Sequence, residues 1–324
     1  MTSPSVIGPE TSARHSRREA ALGSMRWIPG GAFRMGADDA YPEEAPVHTV
    51  VVAGFWIDPC AVTNGEFATF VAATGYRTVA EHPPDPALYP GARPELLKPG
   101  SAVFFMPAGK ASENDVRSRW AYVPGADWRH PEGPQSTIEG REREPVIHGA
   151  YEDAAAYAAW AGKALPTEAE WEFAARGGLD SATFCWGYEF TPGGRYMANT
   201  WQGPFPYCDL GTDGFIGRAP VGSFPPNGYG LYDMAGNVWE WTADWYSDRH
   251  PPQAEQSCCL PGEPEAVSDS AAPPEIRIPS KVIKGGSYLC APSYCRRYRP
   301  SARYPQMIDT ATCHIGFRCV IRAD

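Results

Sequence analysis

Glycine and proline constrain this chain more than any other feature. It carries 33 Gly and 34 Pro in 324 residues, about a fifth of the total. Proline removes a backbone donor and interrupts helices and ladders, while glycine supplies turns. Such a chain cannot be assembled from long helices or wide sheets. It is expected to use short elements and much irregular backbone, pinned by side chains such as its 11 Trp. Length alone allows one large domain or two smaller ones, with a sizeable core in either case.

Charge and cysteine usage narrow the class. A net charge of -10 argues against a nucleic-acid partner. The N-terminal MTSPSVIGPETSARHSRREAALGS has no apolar core of a secretory signal, and no apolar run approaches a membrane span. The expectation is a cytoplasmic protein. Nine cysteines, an odd number without any CxxC pair, do not read as a disulfide scaffold or a structural zinc site. Cys60, Cys185 and Cys208 read as small buried hydrophobes, and Cys258 and Cys259 as incidental exposed thiols.

Residues 1–24 read as a disordered tail, and 25–324 as the structured part. MRWIPGGAFRMG reads as strand, Pro-Gly-Gly turn and strand, and His48–Cys60 as one further strand. Thr63 or Asn64 caps a helix running to about Ala73 and closed by Gly75. Asp38, Asp39, Glu43 and Glu44 form an acidic loop expected to be solvated. Residues 76–145 show little periodicity and read as an irregular segment. Tyr151–Gly162 is an Ala-rich helix. Thr167 and Glu170 form a capping box for a second helix, which Gly177 ends. Its Trp171 and Phe173 face the core, and Glu168, Glu170 and Glu172 are solvated or salt-bridged. From Thr183 to Trp245 loops pinned by aromatics are expected, then a mobile loop over about 251–280, then a closing turn and strand.

Chemistry concentrates in Lys281–Arg303, KVIKGGSYLCAPSYCRRYRPSAR. Gly285 and Gly286 precede Cys290 and Cys295, and Arg296, Arg297, Arg299 and Arg303 follow. Pro292 argues against a regular helix between the cysteines. Nearby cations favour thiolates. Two thiolates in one loop can clamp a soft ion such as Cu(I) or Zn(II), act as a redox dithiol, or have no function. Asn199 and Asp213, and separately Asp233 and Glu240, offer hard oxygens in turn-rich loops. These suit calcium, which takes about six to eight oxygens, or ordinary turn chemistry. The seven histidines include no pair spaced i, i+4, and no Walker, dinucleotide or G-x-S-x-G motif occurs.

PTEAEWEFAARGG, ANTWQG, NGYGLYDMAGNVWEWT, KGGSYLCAPSYCRRYRP and HIGFRC resemble the formylglycine-generating enzymes, a sulfatase-modifying branch of the C-type-lectin-like superfamily. The resemblance runs from about Met25 to the C-terminus. It implies a single compact α+β domain with little regular secondary structure. It also implies an O2-using oxidase that converts the cysteine of a Cys-x-Pro-x-Arg sulfatase motif to Cα-formylglycine. Cys290 and Cys295 would hold Cu(I), with the substrate thiolate as a third sulfur. Ser287, Tyr294 and Trp239 match residues lining that site. One structural Ca2+ would be bound by Asn199, Asp213 and the carbonyls of Thr200 and Phe215. A second would be bound by Asp233, Glu240 and the carbonyls of Gly236 and Val238. A monomer without nucleic-acid or membrane partners is expected. Two departures stand out. Cys313 occupies a position expected to carry a small hydroxyl residue. Ala158, Ala175 and Pro300 replace the disulfide cysteines of secreted members, leaving Cys319 unpaired. Competing readings are a sulfoxide synthase, which would need a histidine-rich iron site, and a non-catalytic peptide- or glycan-binding module on the same fold.

Overall fold

A computed structural model describes residues 22–107, 109, 118–250 and 278–323. The expected tail through residue 21 and the expected loop from 251 to 277, with Cys258 and Cys259, lie outside the described residues. At the loop's far end Ile278 is buried and Ser280 already opens a strand.

Local signals produce the helices. Helix α1 (Asn64–Thr74) starts at Thr63, whose hydroxyl accepts from Glu66 N while Glu66 receives Thr63 N, and ends at Gly75 in left-handed conformation. Helix α2 spans Tyr151–Trp160. Helix α3 (Glu168–Arg176) repeats the Thr167–Glu170 box and ends at left-handed Gly177. These are the three described α-helices, and the rest is short strands and loops, an α+β architecture of low regular content.

The strands pair across long distances. Strand β1 (Arg26–Ile28) and β2 (Gly31–Met35) flank the Pro-Gly-Gly turn but do not pair with each other. The expected single strand over His48–Cys60 splits into β3 (His48–Val52) and β4 (Phe55–Ile57). β2 pairs with β3, and β4 lies between β1 and the C-terminal β11 (Val320–Arg322). The split falls at Gly54, where a Cβ would sit 2.6 Å from the Trp27 ring. The expected irregular segment 76–145 contains the antiparallel hairpin of β5 (Gly100–Phe104) and β6 (Trp120–Pro124). Within the expected loop region, Trp239–Trp245 forms β7. It joins β8 (Ser280–Lys284), β9 (Arg303–Met307) and β10 (Ile315–Gly316) in a four-stranded sheet of order β10-β7-β8-β9.

One large core of Trp171, Trp241, Phe55, Phe67 and Phe317 lies beneath these elements. Buried ion pairs run through it. Glu172 is 0% exposed and receives Arg176 at 2.6 Å and Lys284 at 3.0 Å. Glu168 meets Arg303 at 2.8 Å, and Glu240 meets Arg318 at 2.7 Å. Glu168 and Glu172 are therefore salt-bridged rather than solvated, and Glu170 pairs with Arg322. The acidic loop departs from expectation: Glu44 is buried on Arg299 and Glu43 is paired with Arg297. Cys208 is exposed and Cys60 half-buried, whereas Cys185 is buried as expected.

Candidate active site

Strand β8 delivers the chain to two left-handed glycines. A Cβ on Gly285 would meet the Trp171 ring at 3.0 Å, and one on Gly286 the Arg297 carbonyl at 2.8 Å. Only glycine fits both the space and the backbone angles. The loop then folds back on itself. Cys290 N donates to Ser287 O (2.9 Å), and Cys295 N to Ala291 O (2.9 Å). The second bond closes one helical turn that starts just ahead of Pro292, where a proline is tolerated. These two turns bring the sulfurs of Cys290 and Cys295 to 3.1 Å as free thiols.

Three backbone bonds brace this loop from outside. Tyr288 N donates to Asn237 O, Gly236 N to Gly285 O, and Trp201 N to Cys290 O. Asn237, unremarked in the sequence, anchors the first of these. It is 1% exposed with φ +57°, and its side chain bonds Ala219 through both of its polar atoms and receives Asn199 Nδ2. Its signal was present in the Gly-Asn dipeptide, but its partners lie 18 and 38 residues away.

The two thiols differ in environment. Burial pushes Cys290 up, reinforced by Cys295. Cys295 is held below the usual thiol range, first by the hydrogen bond from Cys290 and then by Arg297, which outweigh its own burial. Cys295 is also the more exposed of the pair. Alkylation with iodoacetamide near neutral pH is therefore expected to label Cys295 before Cys290. Peptide mass analysis showing the reverse order would contradict this assignment.

The other expected site residues are distributed around the loop. Ser287 is buried, and its hydroxyl accepts from Leu289 N at 3.2 Å. Tyr294 is 52% exposed and stacks on Phe205 at 4.3 Å, while Arg119 donates to its hydroxyl at 3.2 Å. Trp239 lies behind the loop, buried, 6.1 Å from the Tyr304 ring. Phe104 and Trp120, aromatics of the segment read as irregular, meet Trp201 and Phe205 of the aromatic-pinned loops in one wall. Cys313 is buried beyond Tyr288, receives Phe104 N at 3.2 Å, and is pushed up by burial, so it is a poor nucleophile. A cleft of about 750 Å³ is lined by Arg34, Asp38, Tyr41, Arg296 and Arg299 among others, and neither Cys290 nor Cys295 is part of its lining.

Among the described residues, no group of three or more His, Cys, Asp or Glu side chains is placed to hold a metal ion. Cys290 and Cys295 are two soft donors, and they fit an ion satisfied by few thiolate ligands. At the first oxygen-rich position, Thr200 N and Phe215 N donate to Asp213 at 3.1 and 3.2 Å, and Asn199 is oriented by Gly217 and Asn237. Burial raises Asp213, and the groups opposing this are backbone donors. This half-buried carboxylate, without a cationic partner among the described residues, suits a hard cation. At the second, burial pushes Asp233 up to about 6. Glu240 differs from expectation, because Arg318 and Trp171 Nε1 already occupy both its oxygens. A cation there would rely on Asp233 and the Gly236 and Val238 carbonyls, sharing Glu240 with Arg318.

Residues 11–323 match the family model of the sulfatase-modifying factor enzyme 1-like domain. The chain belongs to this family. It is 56% identical over 296 residues to the formylglycine-generating enzyme of Mycobacterium tuberculosis, covering 90% of this chain and 96% of that protein. It is 48% identical over 311 residues to the formylglycine-generating enzyme of Thermomonospora curvata, covering 94% and 95%. Among solved structures, PvdO from Pseudomonas aeruginosa superposes with a TM-score of 0.59 at 25% identity, covering 92% of this chain and 94% of that one. The sulfatase-modifying family thus spans both the three helices and the dithiol loop. Among the described residues no helix is long and apolar enough to cross a membrane.

Proposed function

We propose that this protein is a copper-dependent oxidase that converts the cysteine of a Cys-x-Pro-x-Arg motif in a sulfatase polypeptide to Cα-formylglycine, using O2. The observation carrying the reading is the reduced Cys290–Cys295 pair at 3.1 Å, braced by three backbone bonds in a chain of this family. The likeness to enzymes of that name over nearly the whole chain supports the substrate class.

Cys290 and Cys295 would hold Cu(I), which when bound supplies the chemistry that activates O2. The protein's own residues do the rest. Cys295 presents the more anionic sulfur toward the exposed side. Tyr294, fixed by Phe205 and Arg119, offers a rigid aromatic face beside it for the incoming peptide. The aromatic wall keeps water from the approach. The reaction replaces the C–S bond and one C–H bond of the substrate with a carbonyl and releases sulfide, a two-electron oxidation. Reduction of O2 to water takes four electrons, so an external thiol reductant supplies the other two. All cysteines among the described residues are free, which fits a reducing, cytoplasmic setting. The proposed partner is an unfolded sulfatase segment, and the enzyme acts as a monomer.

Incubating copper-loaded protein with a short Cys-x-Pro-x-Arg peptide and a thiol reductant in air should yield a product that traps as an aldehyde and shows the mass change. Absence of aldehyde with copper verified as bound would reject the reading.

Ca2+ is assigned to the Asn199–Asp213 and Asp233–Glu240 positions as a structural cofactor. Because these loops brace Cys290 and Tyr288, the ion would stiffen the site without touching it. Adding Ca2+ to chelator-treated protein is expected to raise the melting temperature. Saturation at a hundred times Kd contributes about 2.7 kcal/mol. Asp213→Asn should remove much of that shift, and a melting curve indifferent to Ca2+ would rule the assignment out.

A further inference from the structure

The four arginines that follow Cys295 have separate tasks. Arg299 is committed to Glu44, and Arg303 to Glu168. Arg296 is exposed and lines the cleft. Arg297 stays with the dithiol loop: it follows Cys295 by two residues, its carbonyl lies against Gly286 at the loop's start, and its charge lowers the Cys295 thiol and acts on Cys290 as well. Its position is tightly defined. Nε and Nη2 donate to Glu43 Oε1 at 3.2 and 2.5 Å. The guanidinium lies between two rings, 3.8 Å from that of Tyr41 and 4.9 Å from that of Tyr304. The Tyr41 hydroxyl also accepts from Arg296 N at 3.1 Å, fixing the backbone next to Cys295. Side-chain exposure is 17% for Arg297 and 15% for Glu43, so solvent screens their charges poorly.

We propose that Arg297 is the counter-charge of the dithiol when it holds Cu(I), and that the Tyr41–Glu43 strap sets how much of that charge the site receives. The inference rests on the copper reading above. Two thiolates and Cu(I) carry one net negative charge, and a substrate thiolate adds another. A partly buried anion of this kind needs a fixed cation beside it. Arg297 supplies it, and Glu43, paired with the guanidinium, offsets part of it. Neither residue touches substrate in this role; both act through the sulfurs.

The opposite signs of these two charges provide the test. Cu(I) affinity of the full-length protein is measured without oxygen, by competition with a chromogenic Cu(I) chelator, with a melting curve for each variant. Arg297→Met keeps a straight stem between the tyrosines but loses the charge, and is expected to weaken Cu(I) binding about 10- to 100-fold. Arg297→Lys should retain the greater part of the affinity. Glu43→Gln still accepts the guanidinium hydrogen bonds but loses the opposing charge, and should bind Cu(I) as tightly as wild type or more tightly. Unchanged affinity in Arg297→Met overturns the proposal. Equal weakening in Arg297→Met and Glu43→Gln, the pattern of a clamp with no electrostatic role, also overturns it. If Arg297→Met does not fold, weaker binding by a folded Glu43→Gln is enough to reject it. Wild-type protein that binds Cu(I) no better than Cys290→Ser would instead overturn the copper reading itself, and the proposal with it.

Discussion

Replacing either cysteine of the loop with serine is expected to abolish aldehyde formation, to below about a thousandth of wild type, a loss exceeding about 4 kcal/mol of transition-state stabilisation. The hydroxyl is a hard donor and stays protonated near neutral pH, so it replaces neither the softness nor the charge of a thiolate. The surrounding loop should survive the change. Its shape comes from the Gly285–Gly286 turn and the bonds to Asn237 and Trp201, which involve backbone atoms. Cys290→Ser and Cys295→Ser should therefore melt close to wild type while losing activity and Cu(I) binding. The two variants should differ in one respect. The Cys290→Ser protein keeps the half-exposed Cys295 beside Arg297 and should still react with a thiol reagent. The Cys295→Ser protein keeps only the buried Cys290 and should react slowly. Aldehyde produced by either variant at a tenth of the wild-type rate would show that the pair is not the catalytic centre.

The largest loss of stability is expected from Glu172→Gln. This carboxylate is fully buried and is shared by Lys284, Arg176 and the backbone N–H of Gly36. The cations on either side hold it below the usual carboxylate range against the pull of burial. Removing its charge leaves Lys284, itself 0% exposed, with the Ser301 carbonyl at 3.3 Å and, as its remaining carboxylate among the described residues, Glu168 at 3.5 Å, which already serves Arg303. Stranding a buried charge costs about 3–5 kcal/mol. For a chain of this size that lowers the melting temperature by roughly 10 °C. Thermal or urea unfolding would measure it, and a loss under 1 °C would show that the network is solvated in solution. Glu172→Gln lies on the core face of α3, so the assay on folded protein should change less than the melting temperature.

These expectations draw on features of unequal legibility. Thr63, Thr167, Gly75 and Gly177 marked α1 and α3 closely, because a cap is satisfied within three or four residues of chain. The dithiol was equally visible, with Gly285, Gly286, Cys290 and Cys295 inside eleven consecutive residues. The β5–β6 hairpin escaped notice because its strands are joined by a long connection rather than a two-residue turn. β7 escaped because its first four residues, Trp239, Glu240, Trp241 and Thr242, are all buried and show no alternation. The acidic loop was misjudged for a related reason. Nothing within a window around Glu43 and Glu44 indicates that Arg297 and Arg299, some 254 residues later, will neutralise them.

By itself the sequence determined the low regular content of the fold, the helix ends and the place of the dithiol, because each depends on bonds between near neighbours. The tertiary structure alone decided which strands pair, which carboxylates are buried, and which carboxylate holds each arginine after the dithiol. Those choices depend on surfaces brought together from opposite ends of the chain, where desolvation turns an ordinary charge into a specific partner.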